Sequence, residues 1–333
     1  MKKFFLLNSI LCVILCSACG TSPYTTNGMQ KNVTVSGFML NTYVSITLYG
    51  TDNEELATEA LNLCSAYEQI FSRTIPDSKL SVLNSTKEIS HADESLYELI
   101  QTGIYYGELS EGALDITIEP LISLWDVNGV SPHVPDTRQI EELISFVNYK
   151  NVQLTEENHI ITLQNDTTVD LGAIAKGYIA DKIRKFLIDN GVTHGIINLG
   201  GNILCIHDKP DGSDFIIGIQ KPFDEAAVSI LTLRINNMSV VTSGTYERFF
   251  TENDHIYHHI IDPKTGFPSE SGLISVTIIS DDSVVGDCLS TACLIMGEEK
   301  ALKLLDSIDG VYGILIDEQM NIIYSEGASQ FVR

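Results

Sequence analysis

The sequence predicts an α+β fold. Segments with helical periodicity and segments with strand alternation are mixed along the chain, without the strict strand–helix alternation of a parallel sheet. The C-terminal half is strand-rich, broken by helical patterns around 284–308. The chain's 333 residues, 44% of them hydrophobic, suffice for one large domain or two smaller ones with a proper core.

Taken in order, the chain opens on a targeting segment. MKKFFLLNSILCVILCSACG has Lys2 and Lys3 at its head, then an apolar run too short for a confident membrane span, then small residues. Ser17-Ala18-Cys19-Gly20 resembles a bacterial lipoprotein signal, with residues 1–18 removed and a lipid on the Cys19 thiol. Cys16 stands where that pattern usually has Leu. Residues 19–32 read as a flexible tether and 33–333 as the folded domain.

VTVSGFMLNTYVSITLYG, from Val33, alternates and is rich in β-branched residues, which predicts one or two strands. NEELATEALNLCSAYEQIFS then has helical periodicity with acids in its first turn. SLYELIQTGIYYGELS predicts a second helix, DTRQIEELISFV a third, and VQL with HIITL a short hairpin. Over 169–191, Ile174, Tyr178, Ile179, Ile183, Phe186 and Leu187 form an apolar stripe, and Gly191 is a stop signal. GIINLGGNILCIH, FIIGIQ, SILTLRI, SVVTSG, HHIID and LISVTII read as strands, as do VYGILID and NIIYS after the last helices.

Twenty basic residues face 44 acidic ones, for a net charge of -24. Nucleic acid is therefore excluded as a partner, since neutralising phosphates takes clustered Lys and Arg. A phosphate-rich ligand would have to be held locally by backbone N–H groups, a lysine or two and a metal. Cys64, Cys205, Cys288 and Cys293 are scattered through apolar segments with no zinc-ligand spacing, and read as buried free thiols.

Four segments carry possible chemistry. In GDCLSTACLIMG (286–297), helical geometry sets Asp287 and Thr291 within about 40° of each other and Ser290 about 60° to the other side. Cys288 and Cys293 lie roughly 140° apart, so the convergent face is all oxygen and suits Mg²⁺ or Ca²⁺. The competing reading makes Asp287 a helix-start acid, with both hydroxyls bonded back to carbonyls. In VDLGAIAKGYIAD, Lys176 lies in the first turns of a helix whose N–H groups can cradle phosphate; a plain surface lysine is the alternative. Gly200-Gly201 marks a bulge, a close approach or a tight turn. Adjacent His258 and His259 would face opposite sides of a strand, ahead of the turn signal Asp262-Pro263-Lys264-Thr265-Gly266.

Together DLGAIAKGYIAD, NLGGN, SGTYER, HHIIDPKTGFP and GDCLSTACLIMG, in this order, resemble the ApbE family of FAD:protein FMN transferases. LNT at 40–42, FSRTIPDSKLSVLN at 71–84 and GALDITIEPLISLW at 112–125 extend the likeness over nearly all of the chain from Val35. The resemblance implies a single mixed domain, related to the T-fold, with antiparallel sheets flanked by helices and a dinucleotide cleft. It implies a Mg²⁺-dependent, often lipid-anchored enzyme on the outer face of the cell membrane. Such an enzyme splits FAD and moves FMN onto a Thr or Ser hydroxyl of a target protein, a redox-complex subunit or flavin-carrying domain, releasing AMP; some members mainly hydrolyse FAD. Carried over by motif, the metal falls to Asp287, Thr291 and the Ala173 carbonyl, with Ser290 adjacent. FAD contacts fall to Leu40, Thr74, Ala113, Leu114, Asp115, Asp170, Lys176 and Ile261. Leu40-Asn41-Thr42 stands where many members have Met-Gly-Thr, and Thr74 where relatives commonly carry Tyr or Asn. Lys176 is the expected second positive charge and His259 the expected general base, with His258 as fallback.

Overall fold

The computed structural model describes residues 31–224 and 228–333. The 1–18 signal segment, Cys19 and most of the 19–32 tether lie outside the described residues. In chain order, the first half holds β1 (Asn32–Met39), β2 (Thr42–Tyr49), α1 (Glu54–Phe71), α2 (Lys79–Thr86), β3 (Glu88–Ile89), α3 (Glu94–Leu109), α4 (Glu119–Trp125), α5 (Thr137–Ile144), β4 (Val152–Thr155) and β5 (Ile160–Leu163). Then come α6 (Ala175–Asp189), β6 (Gly195–Leu199), β7 (Asn202–Ile206), β8 (Phe215–Gln220), β9 (Ser229–Ile235), β10 (Ser239–Gly244), β11 (Phe249–Glu252) and β12 (His255–His258). The chain closes with β13 (Leu273–Ser280), α7 (Ser283–Met296), α8 (Glu298–Leu305), β14 (Tyr312–Asp317) and β15 (Ile322–Tyr324).

The backbone of the fold is an eight-stranded sheet in the order β1-β2-β6-β7-β10-β13-β14-β15. Every neighbouring pair in it is antiparallel. β2 shows why one face is covered: Val44, Ile46 and Leu48 alternate inward at period 2 and meet Ala57, Ala60 and Leu61 of α1 and Ile179 and Ile183 of α6. Further along, Val276 and Ile278 of β13 pack on Leu289 and Cys293 of α7. The opposite face, through Cys205, Val240, Ile279 and Ile314, is covered by the β8–β9 hairpin with Phe215, Ile217, Leu233 and Ile235. β13 is thus buried on both sides, and its sequence LISVTIIS reads as a nearly continuous run rather than an alternation.

The predicted helices and strands form, with three differences. α2 and α4 have no long apolar stripe: α2 is capped by Ser78, which accepts from the Ser81 N–H, and α4 has no side-chain cap but carries Pro120 in its first turn. HHIID is not a strand throughout. β12 stops at His258, and the chain turns through Asp262, whose carbonyl accepts the Gly266 N–H at 2.8 Å. Gly200-Gly201 forms the tight β6–β7 turn, with φ values of +65° and +92°. A Cβ at Gly200 would lie 2.3 Å from the Thr42 hydroxyl, so close approach holds as well.

Cys64, Cys205, Cys288 and Cys293 are free and buried. Burial pushes the Cys64, Cys205 and Cys293 thiols up to about 12. Among the described residues, no helix is long and apolar enough to cross a membrane.

Candidate active site

The site begins where α6 crosses α7. Gly177 makes the crossing possible: a Cβ there would lie 2.4 Å from the Ser283 carbonyl oxygen and 2.6 Å from Val284 Cα. One turn along, the Asp181 carboxylate accepts the Ser283 and Val284 N–H groups, both at 2.9 Å, and so ties α6 to the start of α7. Arg184 adds an ion pair to Asp282 at 2.7 Å. This clamp brings the N-terminus of α6, whose own N-cap residue Ile174 supplies no side-chain hydrogen bond, against Asp287. The Gly177 N–H donates to Asp287 Oδ2 at 2.7 Å, and Lys176 Nζ lies 3.7 Å from Oδ1.

Asp287 opens onto a cleft of ≈ 510 Å³ between the helices and the end of the main sheet. That volume is in the range of small-molecule sites. Leu40, Thr74, Ala113, Leu114, Asp115, Asp170, Ala173, Lys176, His259, Ile261 and Thr291 line the same cleft. Nearly every predicted site residue therefore converges, from six separate stretches of chain.

Ser290 is the departure. It is fully buried behind the wall, where its hydroxyl bonds Ser243 Oγ at 2.8 Å and the Asp287 carbonyl at 3.2 Å. For this hydroxyl the back-bonded alternative holds, because its side of α7 faces β10 instead of the cleft. Thr291 does face the cleft, and Ser243, which also lines it, lies 3.2 Å from the Thr291 hydroxyl. Asp115 contributes wall and no free charge. Its carboxylate is spent on the Thr117 N–H and hydroxyl, at 2.8 and 2.6 Å, and on the Tyr149 N–H at 2.9 Å. Asp170 holds Arg73 at 2.5 Å and receives the Gly172 N–H at 2.6 Å, fixing the loop that leads into α6. Leu40 and Asn41 form a two-residue hairpin turn, both with left-handed backbone (φ 53° and 56°), braced by Arg248 donating to the Asn41 carbonyl at 3.1 Å.

The two histidines part ways. His258 Nε2 is engaged by the Ser269 carbonyl at 3.0 Å. His259 borders the cleft, its Nδ1 3.2 Å from the Arg248 carbonyl. A carbonyl can only accept, so Nδ1 carries the proton and Nε2 keeps a free lone pair. Burial, with the Arg248 charge added, pushes His259 down to about 3. It is neutral at pH 7, presenting a lone pair on Nε2, but does not titrate near working pH as an ordinary imidazole would.

Glu247, inside the predicted SGTYER segment but not picked out by sequence, also lines the cleft. It is exposed in the open cleft yet closely walled by protein, and burial raises its carboxyl to about 7, with Asp287 pushing the same way and Lys176 and Arg248 opposing. Asp287 itself is raised by burial, with Lys176 and the Gly177 N–H holding its charge in place. Lys176, Arg248 and Arg73 share the cleft with six acidic side chains, Glu68, Asp115, Asp126, Asp170, Glu247 and Asp287, so its positive charge is local to these three residues. The carboxylate and hydroxyl oxygens of Asp287, Thr291 and Ser243 form a donor set that fits a hard divalent cation.

Residues 40–315 match the ApbE family. The chain belongs to the ApbE family. It is 33% identical over 293 residues to the FAD:protein FMN transferase of Klebsiella pneumoniae (strain 342), covering 87% of this chain and 90% of that one. To the FAD:protein FMN transferase of Treponema pallidum (strain Nichols) it is 30% identical over 341 residues, covering 96% and 94%. The crystal structure of the ApbE protein from Thermotoga maritima superposes with a TM-score of 0.85 at 31% identity, over 91% of this chain and all of that one. The flavin transferase ApbE from Vibrio cholerae gives 0.80 at 25% identity and the same coverage of this chain. The single α+β unit with antiparallel sheets is thus the ApbE fold.

Proposed function

We propose that this chain transfers FMN from FAD to a Ser or Thr hydroxyl of a second protein, releasing AMP, with a divalent cation of the Mg²⁺ class. The observation that carries this reading is the convergence of Asp287, Thr291, Lys176 and the start of α6 on one cleft, in a member of the ApbE family.

In this reading the acceptor oxygen attacks the flavin-side phosphorus. A new P–O bond forms, the bond to the bridging oxygen breaks, and AMP leaves. His259 Nε2 takes the hydroxyl proton, its Nδ1–H anchored on the Arg248 carbonyl. Lys176 and the N-terminus of α6 offset charge that builds on the phosphoryl oxygens. Asp287 and Thr291, with the Ala173 carbonyl, would hold the cation; bound there, it supplies Lewis-acid polarisation of the diphosphate. Asp170 and Arg73 brace the loop that carries Ala173. The nucleophile comes from the partner, which accounts for a cleft furnished with a base and cations but no activated Ser or Cys.

The test is direct. The soluble chain is mixed with FAD, Mg²⁺ and a Thr-containing acceptor domain, then assayed for AMP and for an FMN mass gain on the acceptor. AMP with labelled acceptor supports transfer. AMP with free FMN selects hydrolysis by water, and neither product selects a flavin-holding protein. The lipid at Cys19 and a location on the extracytoplasmic face of the cell membrane belong to the same proposal and rest on the N-terminal pattern. Mass spectrometry of the mature N-terminus tests them: an unmodified Cys19 would remove the anchor.

A further inference from the structure

Asn202 opens β7 directly after the Gly200-Gly201 turn, and its side chain, 2% exposed, lines the cleft beside Asp287. Its Oδ1 accepts the Ser283 hydroxyl at 2.6 Å, and Ser283 Oγ in turn accepts the Ser239 hydroxyl at 2.9 Å. This relay fixes the amide. Turning it over would pass the Ser283 proton back to Ser239 and set the amide oxygen toward the Asp287 carboxylate, whose charged form the amide instead favours. The oxygen therefore faces Ser283 and the NH₂ group faces the Asp287 side of the cleft. That Nδ2 is buried and has no hydrogen-bond partner among the described residues. Buried donors are nearly always satisfied, so an oriented, unmet one on a cleft wall points to a ligand acceptor. An NH₂ group cannot ligate a cation. It favours Asp287 in its charged form but makes no hydrogen bond of normal geometry with it.

We propose that Asn202 is a diphosphate-binding residue, its Nδ2 donating to a phosphoryl oxygen that Lys176 also holds, with the Ser239–Ser283 relay as its positioning device. The inference rests on the reading of the cleft as a dinucleotide site. A phosphoryl oxygen is the acceptor that answers a lone, pre-aimed N–H best, because charge-assisted hydrogen bonds are the strong ones. Because the relay already fixes the amide, little rotamer freedom is lost when the bond forms.

The experiment measures binding of FAD, ADP and riboflavin to the full chain in Mg²⁺ buffer by calorimetry, for the parent, Asn202→Asp and Ser283→Ala. Asn202→Asp keeps the acceptor for Ser283 and replaces the donor by a negative oxygen. ADP and FAD affinity should fall about tenfold or more while riboflavin is unchanged. Ser283→Ala releases the amide from its fixed orientation and should give a smaller loss with the same ligand pattern. Thermal unfolding of each variant separates a folding defect from a binding one, and the Ser283 variant keeps the question open to test where Asn202→Asp fails to fold. Equal losses for ADP and riboflavin, or ADP binding untouched in both variants, would overturn the assignment. A parent chain that binds neither FAD nor ADP instead overturns the dinucleotide reading of the cleft, and the Asn202 role with it.

Discussion

Gly177→Ala isolates the helix crossing from the chemistry. The added methyl would sit 2.4 Å from the Ser283 carbonyl oxygen and 2.6 Å from Val284 Cα, and neither backbone atom can rotate aside. Restoring ordinary contact requires α6 and α7 to part by roughly 1 Å. On stability, two terms oppose: alanine favours the helix by about 1 kcal/mol, whereas overpacking costs about 1–3 kcal/mol. The net is a loss of up to about 2 kcal/mol, or a melting temperature lower by several degrees. On activity, nothing offsets the shift. It moves Lys176 and the Gly177 N–H relative to Asp287, and a misplacement of about 1 Å can cost on the order of 100-fold in rate. Differential scanning fluorimetry and AMP release at saturating FAD and Mg²⁺ measure the two effects separately. A variant with parental melting temperature and a rate within about twofold of the parent would refute the claim that this crossing sets the site geometry.

Other outcomes follow from the same cleft. Asp287→Asn keeps the shape but removes the anionic ligand from the hard-oxygen set, so FMN transfer should fall to background while the fold persists; parental transfer at equal Mg²⁺ would dismiss the metal assignment. Glu247, raised from 4.5 to about 7, favours the fold in its protonated form, and that contribution disappears as pH rises through about 7. Metal-free Glu247→Gln should therefore melt higher than the parent at pH 8, with the gap closing toward pH 4.5. His259, neutral because its pKa is pushed down to about 3, should leave no inflection near 6.5 in the rate profile of the parent. Trp125, the one tryptophan of the chain, lines the cleft, so FAD should quench intrinsic fluorescence on binding; a titration with no quenching would place the flavin elsewhere.

Much of this was legible beforehand because the signals were local. Glu54 and Glu55 announce the start of α1, the β1 and β2 residues alternate, and Asp287 and Thr291 share a helix face by simple rotation. The limits are just as physical. Helical rotation placed Ser290 beside Asp287 equally well, and only the packing of β10 through Ser243 decides that this hydroxyl points the other way. Periodicity cannot find α2 or α4, which are short and held by a cap or a proline. Glu247 looks like any surface acid in SGTYER, because its environment is assembled from Lys176, Arg248 and Asp287, two of them distant in the chain. The choice between His258 and His259 likewise depends on the Ser269 and Arg248 carbonyls, which no spacing rule reveals.

The four sulfur side chains sealed in the interior carry a practical consequence. A thiol held protonated out of reach of solvent neither attacks an alkylating reagent nor enters disulfide exchange while the fold is closed. Cys64, Cys205, Cys288 and Cys293 therefore act as silent reporters spread across the interior, each becoming reactive only when its own part of the molecule opens. Timed alkylation followed by peptide mapping would read the order in which those parts come apart.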